Sequence, residues 1–281
     1  LGGAPVVADA RCALEALSAA LGNWATGEPY RGEARSARDD WAERVRRDLE
    51  PARERMTQGQ AIQVINRGAR RGDWLVAAAG APPGDLLKLW RCPPGSSAHI
   101  EFAFSCMGHE IPAGLGIRMA DPDAEEILVV IGDGTYLMAP TELVTAAQEG
   151  LKITVIVLVN GGYQSIHELQ RSAVARSMGT EFRRAGADGE VISIDYAANA
   201  RSLGCRAFHA ADPDALRLAL DAAREGSGPA VVVCDVHPSA PVLGSGAWWD
   251  LGVPEVSGDA EVVRLAQQHG RVAAARRRFY G

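Results

Sequence analysis

Two near-continuous apolar runs, residues 127–131 and 153–159, stand on either side of a helix-patterned stretch at 141–149. A strand made almost wholly of apolar residues has both of its faces covered, which is the state of a strand in a parallel sheet with helices on each side. One helix between two such strands makes a βαβ unit with a right-handed crossover. Leu143, Val144 and Ala147 are its inward residues by spacing.

The same alternation extends along the chain. Strand signals occur at 74–79, 99–104, 191–194 and 230–236, and helix signals at 58–70, 105–116, 196–203 and 212–224. The expectation is an α/β fold: a doubly wound, mainly parallel sheet of five or six strands over roughly residues 55–240, with helices on both faces. Within 105–116, Gly108 and Ala113 suggest close packing, and Pro112 is tolerated in a helix's first turn.

Upstream, residues 9–21 form a helix with Asp9 as cap and Leu14, Leu17 and Leu21 as its stripe. Gly27, Pro29 and Gly32 mark 22–38 as a polar connector. A charged helix follows at 39–54, with Trp41, Val45 and Leu49 spaced four apart to dock on a core. This organises the chain as residues 1–38, 39–250 and a helical tail at 251–281.

Composition narrows the function classes. With 35 acidic and 29 basic residues, the net charge is -6, so no broad positive surface for nucleic acid is expected. No run of 18 apolar residues and no signal-peptide pattern is present, so a cytoplasmic setting is expected. The five cysteines form neither a disulfide framework nor zinc-ligand pairs, and most are expected as buried thiols.

In an open parallel sheet, ligands bind beyond the carboxyl ends of the strands. Gly132-Asp133-Gly134 closes the first run and Asn160-Gly161-Gly162 the second. Asp133 supplies a hard carboxylate oxygen, Asn160 an amide oxygen and Gly162 a backbone carbonyl, a donor set suited to magnesium on a diphosphate. Gly132 and Gly134 let the backbone turn beside a phosphate. Neither strand opens into Gly-x-Gly-x-x-Gly and no Gly-Lys-Ser or Gly-Lys-Thr occurs, which disfavours dinucleotide and P-loop readings.

This arrangement resembles the diphosphate-binding domain of thiamine-diphosphate enzymes, in which Gly-Asp-Gly is followed after roughly 25 residues by Asn. Here 25 residues separate Gly134 from Asn160. Val159 departs from the asparagine that often precedes the metal-binding one. Segments 78–80, 83–90, 101–108, 142–150, 179–183 and 248–250 are similar to the trihydroxycyclohexanedione hydrolases of myo-inositol breakdown, and the likeness runs from about residue 9 to 260.

The resemblance implies the thiamine-diphosphate-binding fold and hydrolytic C–C cleavage of a cyclic 1,2-diketone made from inositol. It implies thiamine diphosphate and Mg2+ as cofactors, with Asp133, Asn160 and the Gly162 carbonyl on the metal. Gly132, Gly134, Thr135 and Tyr163 fall near the diphosphate, and Met107 props the cofactor's bent form. His109, where tyrosine is expected, and Gln164 are the foremost proton-transfer candidates, ahead of His99, Glu101, His167 and Glu181. Trp248-Trp249-Asp250 closes a rim, an interface or the core.

The family also places an activating glutamate on a separate pyrimidine-binding domain. No segment before residue 55 matches it, so the expectation is a fragment or one subunit of a split enzyme, with residues 9–21 as the last helix of a central domain. A dimer or tetramer is expected. The alternatives are an acetolactate-synthase-like lyase acting on 2-oxo acids, a noncatalytic cofactor-binding subunit and a flavodoxin-like binding module.

Overall fold

The structure, a computed structural model, describes residues 4–50, 55–174, 178–184, 189–238 and 253–274. It contains two compact units, one of Leu1–Arg47 with Ala247–Gly281 and one of Asp48–Gly246. In the first, helix α1 (Ala10–Leu21) starts where Asp9 accepts from the amides of Arg11 and Cys12 at 3.0 and 3.1 Å. Its stripe of Leu14, Leu17 and Leu21 is exposed.

Helix α2 (Glu28–Asp48) runs through most of the stretch read as a connector and ends earlier than the expected charged helix. Pro29 sits in its first turn, where proline starts a helix rather than breaking one. Glu28 pairs with Arg31 at 3.0 Å and also with Arg35, one and two turns on. Those ion pairs hold a segment that lacks an apolar stripe. Trp41 and Val45 are half-buried, and Leu49, just past the helix, is buried.

The second unit begins with α3 (Gln58–Gly68), opened by a capping box in which Thr57 and Gln60 satisfy each other's backbone amides. Then follow β1 (Trp74–Ala77), α4 (Ala81–Leu89), β2 (Ser97–Ile100) and α5 (Glu110–Ala120). The predicted βαβ unit is β3 (Ile127–Gly132), the short α6 (Asp133–Tyr136), α7 (Glu142–Gln148) and β4 (Thr154–Val159). The chain continues through α8 (Gln164–Val174), α9 (Tyr196–Ser202), β5 (Arg206–Ala210), α10 (Pro213–Glu225) and β6 (Ala230–Asp235). Helix α11 (Ala260–Ala274) belongs to the first unit.

The six strands form one sheet in the order β2-β1-β3-β4-β6-β5, with every pairing parallel. Side chains alternate between its faces. Ile127, Val129, Ile131, Val155 and Val157 pack with Ile111 and Leu115 of α5, Leu143 and Ala146 of α7, and Tyr196 and Ala200 of α9. Leu128, Val130, Ile156 and Leu158 are buried on the opposite face, where α3, α4 and α10 pack against one another and the sheet. Each large aliphatic side chain so buried contributes about 1.5–3 kcal/mol.

Several expectations are corrected. Residues 191–194 are not a sheet strand: Val191 makes an isolated antiparallel bridge to Arg183, and the sixth strand is β5. The predicted strand 99–104 stops at Ile100, because Glu101 accepts from the amides of Phe104 and Cys106 at 2.9 and 3.1 Å and folds the chain into a loop. Gly108 lies in that loop at φ 87°, before α5 begins.

Close packing of α5 is supplied by Gly114, where an added Cβ would stand 2.7 Å from a methyl of Val129. In α7, Val144 faces out and Ala146 takes the inward place beside Leu143. Cys205 and Cys234 are buried, but Cys12, Cys92 and Cys106 are exposed, so most of the thiols are not in the core. Trp248, Trp249 and Asp250 lie outside the described residues, within which no helix is long and apolar enough to cross a membrane.

Candidate functional site

From β1 the chain passes outward to β2, and then crosses back to build β3 and β4 on the other side. The direction of winding therefore reverses between β1 and β3, and such a reversal opens a crevice beyond the strand ends. A cleft of about 300 Å³ lies there. One wall is the turn from Ala79 to Pro82, another the loop bearing Phe102, Ser105 and Met107. Gly132, Gly134 and Thr135 form its floor, and Asn160 with residues 162–166 its far side.

Parallel register sets Gly132 opposite Leu158, which brings Asp133 and Asn160 to the same sheet end. Asp133 is wholly buried, and its carboxylate accepts from the amides of Gly134 at 2.8 Å and Gly161 at 2.7 Å. Burial pushes its pKa up from 3.8 to about 6, although these amides pull the other way. At neutral pH the group is largely ionised and poorly solvated. A nearby cation would relieve that state.

The side-chain amide of Asn160 presents one atom 3.0 Å from the Gly162 carbonyl oxygen and 3.1 Å from a carboxylate oxygen of Asp133. With nitrogen at that point it donates to both. With oxygen there, three oxygens converge, which is repulsive unless a cation lies among them. The Gly162 carbonyl also accepts from Gln164 N at 3.0 Å, leaving one lone pair for the convergence point.

Glycines are required here. Gly162 has φ 146°, and a Cβ on it would meet Thr180 O at 2.4 Å, because this segment forms an antiparallel bridge to Glu181. A Cβ on Gly134 would press into the Tyr163 ring at 2.7 Å. Tyr163 is held edge-on by Phe182, with centroids 5.4 Å apart. Helix α8 starts immediately beyond, and Gln164, Ser165 and Ile166 of its first turn line the cleft.

Of the residues singled out from sequence, Met107, Gly132, Gly134, Thr135, Asn160, Gly162, Tyr163 and Gln164 line this one cleft. Asn160 also lines a second cavity of about 590 Å³ beside β5 and β6, which Asp133 borders. Gln164 donates to the Asn160 carbonyl at 3.1 Å. His109 is elsewhere: its Nε2 stands 3.1 Å from Nε2 of His99, and neither ring lines the cleft.

His167 bonds Thr180 Oγ1 at 3.2 Å, and Glu181 pairs with Arg183 at 3.1 Å. These two fasten the segment opposite Gly162 and do not line the cleft. Glu101 holds its own loop.

Sequence reasoning missed Glu110, fully buried behind the cleft, where Ala79 N donates to Oε1 at 2.9 Å and the Thr135 hydroxyl lies 3.2 Å from Oε2. The available signal was an acidic residue set among Ile, Pro, Ala, Gly and Leu. It also missed α8, whose polar residues 164–171 hide its start.

A crevice at a winding reversal, with a buried acid, the Asn160 amide and a carbonyl converging beside glycines, defines a diphosphate-binding α/β domain. Residues 78–234 match the family described as thiamine pyrophosphate enzyme, C-terminal TPP binding domain, and the chain belongs to that family. It is 33% identical over 281 residues to the 3D-(3,5/4)-trihydroxycyclohexane-1,2-dione hydrolase of Geobacillus thermodenitrificans (strain NG80-2), covering 90% of this chain and 44% of that protein.

The protein of the same name from Lacticaseibacillus casei is 35% identical over 213 residues, covering 75% of this chain and 33% of its own length. The chain thus spans less than half the length of these relatives. Among solved structures, a thiamine diphosphate-dependent 4-hydroxybenzoylformate decarboxylase of Rhodococcus jostii RHA1 superposes with a TM-score of 0.58 at 20% identity. That match covers 66% of this chain and 33% of the decarboxylase, and shows the fold.

Proposed function

We propose that this chain is the diphosphate- and magnesium-holding part of a thiamine-diphosphate-dependent hydrolase that opens a cyclic 1,2-diketone derived from myo-inositol. The observation that carries the reading is the convergence of Asp133, Asn160 and the Gly162 carbonyl at the rim of a cleft lined by Met107, Thr135 and Tyr163. Magnesium would be held by those three oxygens, and the diphosphate would meet Gly132, Gly134, Thr135 and the first turn of α8. The names of the relatives favour the cyclic diketone over a 2-oxo acid as substrate.

When bound, thiamine diphosphate supplies a nucleophilic carbon and an electron sink for breaking a bond next to a carbonyl. The chain's own residues bind and orient. Met107 offers an apolar surface in the loop wall. Gln164 is positioned to hold a polar group of the substrate or a water at the cleft's far side. The His99–His109 pair braces the Met107 loop, where His109 N also donates to Cys106 O at 3.3 Å.

The activating glutamate is assigned to the portion of the relatives' length that this chain does not span. The test mixes this chain with that portion of a relative, adds magnesium and thiamine diphosphate, and follows ring opening of the cyclic diketone beside pyruvate consumption. Ring opening that disappears in Asp133→Ala supports the reading. Pyruvate turnover alone, or cofactor binding with no turnover of either compound, overturns it.

A further inference from the structure

Behind the cleft, one buried carboxyl joins three of its walls. Glu110 Oε1 accepts from Ala79 N at 2.9 Å, in the turn after β1. The Thr135 hydroxyl, on the floor after β3, stands 3.2 Å from Oε2 and 3.4 Å from Oε1. The same hydroxyl accepts from Gly108 N at 2.9 Å, in the loop that carries Met107. Thr135 itself lines the cleft, so the direction of its single proton decides whether it offers an anion a donor or a lone pair.

A hydroxyl has one proton and two acceptor positions, and Gly108 N occupies one of the latter. If Glu110 is ionised, both of its oxygens only accept, so the Thr135 proton must turn back toward the carboxylate. The cleft is then left with a hydroxyl lone pair and a negative charge behind it, both adverse to a diphosphate. If Glu110 carries a proton on Oε2, that proton goes to the second acceptor position of Thr135. The Thr135 proton is then free to point into the cleft.

We infer that Glu110 is a positioning residue that binds one proton when a diphosphate enters the cleft, and thereby turns the Thr135 hydroxyl from acceptor to donor. The proton comes from solvent and goes to Oε2, and no other bond is made or broken. The inference rests on the reading of the cleft as a diphosphate site.

The surroundings make protonation easier than it is in water. Glu110 is wholly buried, and its partners are the neutral amides of Ala79, Gly108 and its own backbone together with the Thr135 hydroxyl. Burial raises its pKa above the ordinary carboxylate value, and these hydrogen bonds lower it by less. The titratable groups on the elements packed around it are committed elsewhere. Asp133 bonds Gly134 and Gly161, Tyr136 bonds Asn199, and His109 faces His99. Diphosphate oxygens beside Thr135 accept the proton its hydroxyl can offer only when Glu110 is protonated, so their binding favours that form even where magnesium offsets their charge.

The experiment titrates magnesium thiamine diphosphate calorimetrically into the chain between pH 6.5 and 8.5, in buffers of different ionisation enthalpy, so that protons taken up are counted. Wild type is expected to take up as much as one proton per site more than Glu110→Gln. The glutamine amide donates to Thr135 as the acid does, and its carbonyl still accepts from Ala79. E110Q therefore keeps its affinity as pH rises, while wild type weakens by up to about tenfold per pH unit relative to it.

Thr135→Val, with no hydroxyl to orient, is expected to lose the extra uptake, and T135S to keep it; this pair decides the matter if E110Q does not fold. Equal proton counts in wild type, E110Q and T135V overturn the inference and leave the cleft reading standing. No binding by wild type at any pH overturns the cleft reading, and this inference with it.

Discussion

Gly162 shows how the site depends on backbone that no side chain can share. Its φ of 146° and the 2.4 Å approach of Thr180 O to a built Cβ leave no relaxation that keeps the bridge to Glu181. Gly162→Ala is expected to cost about 1–3 kcal/mol in strain and to move the carbonyl away from Asn160. Affinity for magnesium thiamine diphosphate should fall by about tenfold or more, equivalent to about 1.4 kcal/mol. Thermal unfolding and a cofactor titration check the two effects separately, and an alanine variant with wild-type affinity would refute the placement.

At this scale the sequence was informative wherever a residue type had one physical use. Asp, Asn and Gly at two strand ends are read directly, because strand ends in a parallel sheet converge. Glu110 and His109 were not legible. Their roles depend on how the loop of residues 101–109 delivers the chain to the start of α5, and that loop is shaped by Glu101 capturing the amides of Phe104 and Cys106.

Among the elements, β3 and β4 were readable because burial on both faces demands continuous apolar sequence. Strand β5 was not, since an edge strand with Arg206, Phe208 and His209 partly exposed carries no such run. Residues 191–194 mimic a strand, and Ile192 N does donate to Phe182 O at 2.8 Å, but the bridge is local and outside the sheet.

Packing between elements makes a firm prediction at α5. Gly114 lies where a Cβ would be 2.7 Å from Val129 Cγ2 and 3.6 Å from Ile127 Cγ2, so the helix sits on β3 at a distance that only glycine allows. Gly114→Ala is expected to destabilise by about 1–3 kcal/mol through overpacking, read as a lower urea midpoint with an unchanged slope. Because α5 begins at Glu110, displacement of its first turn should also disturb the Thr135 bond. An alanine variant as stable as wild type would show that the helix can slide off the strand without penalty.

For the whole molecule, the division of the chain decides what each part can do alone. Every residue that lines the cleft falls between Ala79 and Ile166, inside the unit Asp48–Gly246, and among the described residues the six strands of the sheet lie in that same unit. Leu14, Leu17 and Leu21 of α1, in the other unit, are exposed. The excised segment 48–246 is therefore expected to fold cooperatively and to bind magnesium thiamine diphosphate within about threefold of the full chain, a difference of about 0.7 kcal/mol. Circular dichroism during urea unfolding and a calorimetric titration measure both properties on one preparation. Retained folding with lost affinity would mean that residues outside the unit complete the cleft. Loss of folding would mean that the first unit stabilises a sheet whose core, on the packing described, holds itself together.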